Sequence, residues 1–318
     1  MKISKYTHSD WIKRNVVSST LLFNQADFVD LISTTYERTL TWYEVSDQEN
    51  ILFSFPIIHH QRNASLVTHF FYQAIPLNLT LSESQFLESW QLLINSLKAD
   101  FDSIDLKFAP YVEDISPFLS AGFEQEIRYT SILNLHVFPK YSENVRRSLK
   151  KASKHNLNIH IHQYHPEIIS EQIKDMLKYG LGKIHALKFP IWFEYLSNQH
   201  SALIFELRDE KHRIGSALYL YDKEQAYLIA TMGGQEESGG QAYLYDRAFN
   251  HFQEKGLKQV DLLGANIPSV ALYKSKLGGE LHPYFMVSYR KHKIRAKIKA
   301  NIKAFAKRML KSFGFINK

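Results

Sequence analysis

Hydrophobic residues recur along the chain with two different periods, and the changes between these periods predict the order of its elements. Residues 50–59 and 65–73 are apolar and aromatic runs of strand length. A capping-box pattern at Ser82 and Gln85 precedes apolar residues at helical spacing, which predicts a helix at 83–98. Residues 1–50 are interpreted as short helices that lead into the first strand. This half is completed by a strand at 103–108, a short helix at 114–121 and a strand at 123–135.

The second half begins after a break near Pro139 and has a similar order. Helices are predicted at 142–154, 166–179 and 190–197, and strands at 157–162, 202–207, 214–221 and 226–232. Each half thus contains a meander of strands, followed by a helix, a strand, a short helix and a final strand. We interpret the halves as diverged copies of one α/β fold with an α+β mixed sheet, with boundaries at 1–138 and 139–290.

The stretch 226–279 has the most distinctive pattern. Its first strand is followed by a glycine-rich loop at 233–240 and by a helix at 241–255, after which Gly256 is expected in the left-handed region. Loop N–H groups and the dipole of the following helix favour an anion, so a phosphate-bearing ligand is predicted at 233–240. The elements predicted after this are a strand at 257–263, a helix capped by Asn266 that carries Tyr273, and a last strand at 284–289.

Composition narrows the classes of protein that remain. The chain has 318 residues and no cysteine, which excludes disulfides, a cysteine nucleophile and cysteine-ligated metal sites. No apolar run approaches the ~20 residues that a membrane-spanning helix needs, and the N-terminus lacks the apolar core of a signal peptide, so a cytoplasmic protein is expected. Eleven of the 39 lysines and arginines lie in 288–318, which holds no acid; the remainder has 28 basic and 32 acidic residues. The net charge of +7 is therefore a property of the tail.

The order of elements over 155–290 resembles that of the GNAT acyltransferase fold, and two motifs agree with it. GNAT enzymes carry a Q/R-x-x-G-x-G/A loop that holds the pyrophosphate of coenzyme A; residues 235–240 have this spacing, with Ser238 in place of the first glycine. The Asn266-led helix with Tyr273 and Lys274 before Gly278 also resembles the family. The basic helix at 142–154, the Asp261-Leu-Leu-Gly264 segment and the closing Gly278-Gly279 pair are similar to those of tandem-GNAT proteins of the Fem group and its acetyltransferase-like relatives.

This resemblance implies a donor site and a catalytic residue. The hydroxyl of Tyr273 is implied as the group that protonates the leaving thiolate. A backbone N–H at the end of the strand 226–232 would polarise the acyl carbonyl, and the same strand would pair with the pantetheine amides. The implied cofactor-binding residues for acyl-coenzyme A are Thr231, Met232, Gly233, Gly234, Gln235, Ser238, Gly239, Gly240 and Asn266.

The general base and the identity of the donor stay open. Glu194, His185 and Asp246 are candidates for the base without a motif behind them, and a water-relayed proton is an equal alternative. Glu236 and Glu237 in the loop oppose a negatively charged ligand. They leave room for aminoacyl-tRNA, the donor of Fem-type enzymes, for which the basic helix at 142–154 would contact RNA phosphates. A solvated helix face is the interpretation we favour for those charges.

Outside this stretch the chemistry is less specific. The N-terminal half lacks a comparable glycine loop, so we expect it to have lost donor binding. Its segment Tyr72-Gln73 is interpreted as core, with a position in a cleft between the halves as the alternative. The pairs His59-His60 and His160-x-His162 come without a third ligand, and no metal is predicted.

The tail 291–318 is predicted to form a basic amphipathic helix. Its apolar residues lie on one helical stripe and its cations cover the other faces, which is typical of an element that lies at a membrane surface. Docking of the stripe onto the body is an equal alternative. The stripe consists of Ile294, Ile298, Ile302, Phe305 and Met309.

Together these patterns predict a tandem GNAT-like N-acyltransferase. The predicted reaction moves an acyl group from acyl-coenzyme A to an amine of an amino sugar or a cell-envelope intermediate. The acceptor would be a small molecule or lipid-linked, and the tail would give the cytoplasmic protein a peripheral membrane contact. The alternatives are aminoacyl transfer from charged tRNA and a non-catalytic membrane-associated scaffold.

Overall fold

A computed structural model of the chain describes residues 1–14, 22–48, 50–67, 72–73, 82–137, 139–178, 180–233 and 239–291. Within these residues, twelve strands form one mixed sheet. The strands are β1 Lys2–Thr7, β2 Thr39–Asp47, β3 Asn50–His60, β4 Asn63–Ser65, β5 Ser103–Lys107, β6 Glu124–Asn134, β7 Asn158–His162, β8 Ala202–Arg208, β9 Arg213–Tyr221, β10 Gln225–Gly233, β11 Gln259–Asp261 and β12 Glu280–Arg290.

The helices flank this sheet on both faces. They are α1 His8–Ile12, α2 Ala26–Thr35, α3 Glu83–Asp100, α4 Ser116–Ser120, α5 Glu143–Ala152, α6 Pro166–Lys178, α7 Lys183–Asn198, α8 Gly240–Glu254 and α9 Pro268–Lys276, with a 3₁₀ turn at Leu22–Asn24. Within the described ranges, no helix is both long enough and apolar enough to span a bilayer.

The two halves of the chain share the sheet through its last strand. The order across the sheet is β1-β2-β3-β4-β5-β12-β6-β11-β10-β9-β8-β7. β12 pairs antiparallel with β5 on one side and with β6 on the other, so it holds the halves together. The predicted boundary at 138/139 stays a prediction, since β6 precedes it in sequence and pairs with β11, which follows it.

Three apolar cores stabilise this arrangement. One joins α2, α6 and α7 across the same face of the two halves. A second lies under α3 and α4 in the N-terminal half, and a third lies under α5 and α8 in the C-terminal half. The first core connects the halves directly, because Phe23 of the 3₁₀ turn packs its ring 4.4 Å from that of Tyr227 on β10.

Local signals read from the sequence are confirmed where side chains cap an element. Ser82 and Gln85 form the predicted capping box at the start of α3. The helix predicted at 142–154 is α5, and the structure adds that Ser142 caps it by accepting the Val145 N–H. Gly256 lies at φ +81° after α8, the left-handed conformation expected of a residue that ends a helix. The three-stranded meander β8-β9-β10 is antiparallel throughout.

Four sequence-based predictions of elements were wrong. The N-terminal residues form β1 and β2, which pair with each other, rather than only helices. β4 ends at Ser65, so residues 66 and 67 of the strand predicted at 65–73 are not in a strand, and residues 68–71 lie outside the described part of the chain. α7 begins at Lys183, and Pro190 lies inside it because a core of buried aromatic side chains on this helix outweighs the lost backbone hydrogen bond. The strand predicted at 257–263 ends at Asp261. The predicted tail helix lies outside the described residues, apart from Lys291.

Candidate active site

The site begins where two neighbouring strands separate. β10 pairs in parallel with β11 at only three positions, from Gln225–Gln259 to Tyr227–Asp261. β10 then continues to Gly233 alongside β9, whereas β11 ends. Beyond this pairing, no described strand bonds to the β11 side of β10. The backbone of residues 228–233 therefore keeps an open edge.

Lys274 fixes the other side of this opening. Its ammonium group donates hydrogen bonds to the carbonyls of Leu262, Leu263 and Gly264 at 2.8, 2.5 and 2.7 Å. Leu263 lies at φ +54°, a strained conformation for a branched residue. Burial lowers the pKa of Lys274 to about 8, against the opposing effect of Asp261. Lys274 therefore turns the chain away from β10 after β11.

A cleft of about 880 Å³ lies in this opening. Its walls come from β10, the segment after β11, α9, the start of α8, and the corner between α6 and α7. The N-terminal half contributes Tyr72 and Lys107 to the floor. The lining residues used below are Tyr72, Lys107, Arg128, Ala230, Thr231, Tyr273, Lys274 and Tyr284.

The open edge of β10 is also irregular. Its register with β9 shifts between Leu228 and Ala230, so Ile229 is a bulge. The hydroxyl of Thr231 donates to the carbonyl of Ser216 at 3.3 Å and accepts from the Gln241 amide at 3.0 Å. Ala230 and Thr231 line the cleft, whereas the predicted donor residues Met232 and Gly233 are not among its lining residues.

The glycines around the predicted anion loop have strict steric requirements. Gly233 lies at φ +72°, and a Cβ there would stand 2.5 Å from the carbonyl oxygen of Ile214. Gly239 lies at φ +70°, and a Cβ would stand 2.2 Å from the carbonyl oxygen of Ser148 on α5. Gly240 starts α8 and is buried. The predicted residues Gly234, Gln235 and Ser238 lie outside the described residues, so the pyrophosphate contact stays a prediction.

Tyr273, the predicted catalytic residue, is part of the wall of the cleft. It is half-buried on α9, and its ring centroid is 6.1 Å from that of Tyr245 on α8. Asn266 also lines the cleft, but its predicted capping role is wrong. The cap of α9 is Ile267, without a side-chain bond. The Asn266 side chain instead accepts a hydrogen bond from the Tyr129 N–H and donates one to the Tyr129 carbonyl. These two bonds tether the segment after β11 to β6.

A second group of cleft residues has no motif in the sequence. Lys107 at the end of β5 is 8% exposed, and its Nζ lies 4.6 Å from the Tyr72 ring centroid and 5.2 Å from that of Tyr284. Burial lowers the pKa of Lys107 to about 8, although the nearby Asp261 favours its charged form. Gln73 holds Tyr72 beside β5 through its backbone N–H, which donates to the Lys107 carbonyl at 2.6 Å.

Asp261 is the acid of this group. It is 1% exposed, accepts a very short hydrogen bond from Thr130 and accepts the Leu263 N–H at 2.7 Å. Burial raises the pKa of Asp261 despite these bonds. Tyr72 lies close enough to Thr130 and Asp261 to interact with both, and burial raises its own pKa well above the ordinary value. The floor of the cleft thus holds a connected set of ionisable groups.

The earlier candidates for a general base lie elsewhere. Asp246 is buried on α8 and accepts from the Tyr141 hydroxyl at 3.0 Å. Glu194 is exposed on α7, and His185 on α7 packs against the Tyr36 ring. None of the three lines the cleft.

The histidine pairs noted in the sequence were considered as metal ligands. His162 binds the buried Glu206 at 2.8 Å, and the described residues hold no cluster of three or more potential metal ligands.

One pattern in the sequence points to Lys107, the cleft residue that has no motif. Along β5, Ile104 and Leu106 alternate with Asp105 and Lys107. Lys107 therefore faces away from the core under α3. The sequence could place Lys107 on that face but not beneath β12, which pairs with β5 from 179 residues further along the chain at Met286.

Comparison with solved structures identifies the fold. FemX matches with a TM-score of 0.64 at 10% identity, over 90% of this chain and 97% of its own. A tandem GNAT protein from the clavulanic acid biosynthesis pathway matches with a TM-score of 0.51 at 8% identity, over 91% and 99%. The chain has the tandem GNAT fold. L-PGS from Bacillus licheniformis shares it at 11% identity, with a TM-score of 0.51 over 82% of this chain and 86% of its own. No protein-family model and no curated protein sequence matches the chain.

Proposed function

We propose that this tandem-GNAT chain transfers an acyl group from acyl-coenzyme A to an amine in the cleft, with an amino sugar or cell-envelope intermediate as the acceptor. The observation that carries the proposal is the open edge of β10, whose residues 228–231 line a cleft of about 880 Å³. An open strand edge offers alternating N–H and C=O groups. An extended donor arm with two amides, such as pantetheine, is complementary to it.

The donor is held from both ends in this proposal. Its amides pair with Ala230 and Thr231, and its pyrophosphate lies at the loop 234–238 and the N-terminus of α8, where N–H groups and the helix dipole favour an anion. The bulge at Ile229 turns the backbone N–H groups near the acyl carbonyl. A backbone donor there stabilises the oxyanion that forms during attack.

The reaction then needs one proton acceptor and one proton donor. The acceptor amine loses a proton and its nitrogen attacks the thioester carbonyl. The C–S bond breaks as the intermediate collapses, and the thiolate takes a proton from the Tyr273 hydroxyl, which regains one from solvent. The products are an amide and free coenzyme A, and no redox partner is required.

We assign the proton acceptor to Lys107. Its pKa of about 8 keeps a fraction of the side chain neutral near pH 7, as a base for an amine must be. It lies on the cleft floor, where Tyr72 and Tyr284 confine it. Asp261, linked to Tyr72, stabilises the ammonium that forms when Lys107 accepts the proton.

Calorimetry with acetyl-coenzyme A tests the donor. We expect a single binding site, which Gly240→Trp abolishes and Tyr273→Phe retains. Thermal melting of each variant shows whether it is folded. Release of free thiol with a panel of amino sugars then tests turnover. Absence of a binding signal in the folded wild-type chain contradicts the proposed donor.

Aminoacyl-tRNA is the second candidate donor, and one contact favours it. Gly239 lies against the Ser148 backbone, so α5 stands beside the start of α8. Arg147, Lys150 and Lys151 on α5 are exposed, which suits a phosphate backbone. In this case tRNA binding falls steeply with salt, and charge reversal of these residues weakens it, while acetyl-coenzyme A gives no heat. The structural likeness to FemX supports the same alternative.

A further inference from the structure

α7 is apolar on its exposed side as well as on its buried side. Toward the core it buries Phe189, Trp192 and Phe193, among others. On the opposite side four large apolar residues face solvent: Ile184 is 67% exposed, Leu187 73%, Ile191 52% and Tyr195 42%. The outer face of a helix in a globular protein is normally polar. No element in the described part of the chain covers these four side chains, so this face is a candidate contact surface.

These four residues form one continuous stripe, which we call the α7 stripe. Their spacing of three, four and four residues keeps them within an arc of about 80° at roughly 100° per residue. The stripe is about 17 Å long, from the rise of ~1.5 Å per residue. Scattered exposed apolar residues are ordinary, but an aligned set on one helix is typical of a contact surface.

Charge at the end of the stripe favours a lipid surface as the occupant. Lys183 and Arg38 are exposed near its N-terminal end, and neither forms an ion pair within the described part of the chain. Lys188 is paired with Glu37 at 3.0 Å. Exposed apolar side chains bordered by unpaired cations match an interface of acyl chains and anionic headgroups. Glu194 is the one exposed acid between the last two stripe residues.

The area of the stripe argues against a second copy of the chain. Four side chains make a patch on the order of a few hundred Å². A stable protein interface buries about 800 Å² on each partner. A bilayer has no such requirement, because each inserted side chain contributes separately and surface charge adds to it.

The N-terminal end of the stripe follows the cleft wall directly in sequence. Gly180 and Leu181, immediately before α7, line the cleft together with Asp175 and Met176 of α6. We propose that the α7 stripe docks on an anionic bilayer and holds the mouth of the cleft at the level of the headgroups. This surface is separate from the donor site, and its test does not depend on the transfer reaction.

The absence of cysteine makes a local test possible in the full chain. Leu187→Cys is labelled with an environment-sensitive fluorophore and mixed with vesicles of phosphatidylcholine alone or with 30% phosphatidylglycerol. Val137→Cys, at a position that is 55% exposed on a different surface, is the matched control. We expect a blue shift and an intensity increase at 187 with anionic vesicles, and neither at 137. The label reports only its own surroundings, so vesicle binding by the basic tail does not mimic this result.

Vesicle partitioning of unlabelled protein gives the magnitude. Leu187→Asp removes one inserted side chain and adds a charge, and it should lower the partition coefficient by about tenfold or more. Val137→Asp should leave it unchanged. Co-sedimentation of the chain without a spectral change at 187 would assign membrane binding to the tail and overturn the proposal. A spectral change that depends on protein concentration without vesicles would indicate self-association and overturn it as well.

Discussion

Replacing Lys107 by methionine should make the protein more stable and less active. Methionine keeps most of the apolar length of the side chain but removes an ammonium group that burial disfavours. Burial is the largest cause that lowers the pKa of Lys107, from 10.5 to about 8. Between these two values the unfolded chain therefore holds more protons than the folded one. Lys107 thus reduces the free energy of unfolding below pH 8, and this reduction disappears as the pH rises toward 10.5.

The magnitude follows from the shift. A difference of ~2.5 pKa units corresponds to about 3 kcal/mol at pH 7. Most of it, on the order of 2 kcal/mol, should disappear between pH 7 and pH 10. The contacts of the ammonium with Tyr72 and Tyr284 offset part of the cost, at roughly 0.5–2 kcal/mol each. At pH 7 the free energy of unfolding of Lys107→Met should therefore exceed that of the wild type by less than the amount that depends on pH.

Urea unfolding of wild type and Lys107→Met from pH 7 to pH 10 measures this. Groups other than Lys107 titrate in both proteins and cancel in the difference, which should shift toward the wild type as the pH rises. Lys211→Met, at an exposed position, is the control and should show no such trend. A difference that stays constant with pH would refute the assigned burial cost. Loss of ~10²–10⁴-fold in acyl transfer by the folded variant is expected if Lys107 is the base.

Three further variants test the site and its support. Tyr273→Phe should lower turnover by about 10²-fold or more while donor binding by calorimetry is retained, and unchanged turnover would exclude its hydroxyl from the reaction. Gly239→Ala should lower the melting temperature and donor affinity together, because the added Cβ would stand 2.2 Å from the Ser148 carbonyl oxygen. Glu206→Gln should cost about 2 kcal/mol at pH 7. Burial opposes ionisation of Glu206, but His162, Arg213 and Arg208 together lower its pKa to about 2. This stability should thus be lost as the pH falls from about 4.5 toward 2, and a cost unchanged at pH 2 would contradict it.

Local signals predicted several elements in both halves correctly, because they act over a few residues. The capping box at Ser82 and the glycine after α8 each define an end of a helix from its own sequence. The alternation in 202–232 gave the meander for the same reason. The resemblance to GNAT proteins added Tyr273 to the site, and Tyr273 does line the cleft.

Non-local pairing explains what the sequence could not indicate. β11 is only three residues long, since Lys274 binds the carbonyls of the segment that follows it. The apolar pattern continues through Leu263, so the sequence gives no sign that the strand ends at Asp261. Lys107 becomes a cleft residue only because β12 pairs with β5. Tyr72 lies within the strand predicted at 65–73, but it reaches the same place through the bonds of Gln73 with β5. Each depends on contacts far apart in the sequence.

The position of these residues gives a reason for the way the two halves are joined. If each half had its own sheet, Lys107 on β5 would lie at a sheet edge in contact with water, and its pKa would remain near that of an ordinary lysine. Insertion of β12 between β5 and β6 places Tyr284 over Lys107 and brings Asp261 within electrostatic reach. The shared strand thus creates the desolvated base that the proposed reaction needs. A chain in which β12 no longer reached β5 would keep its donor edge on β10 but lose this base, so donor binding and transfer would separate.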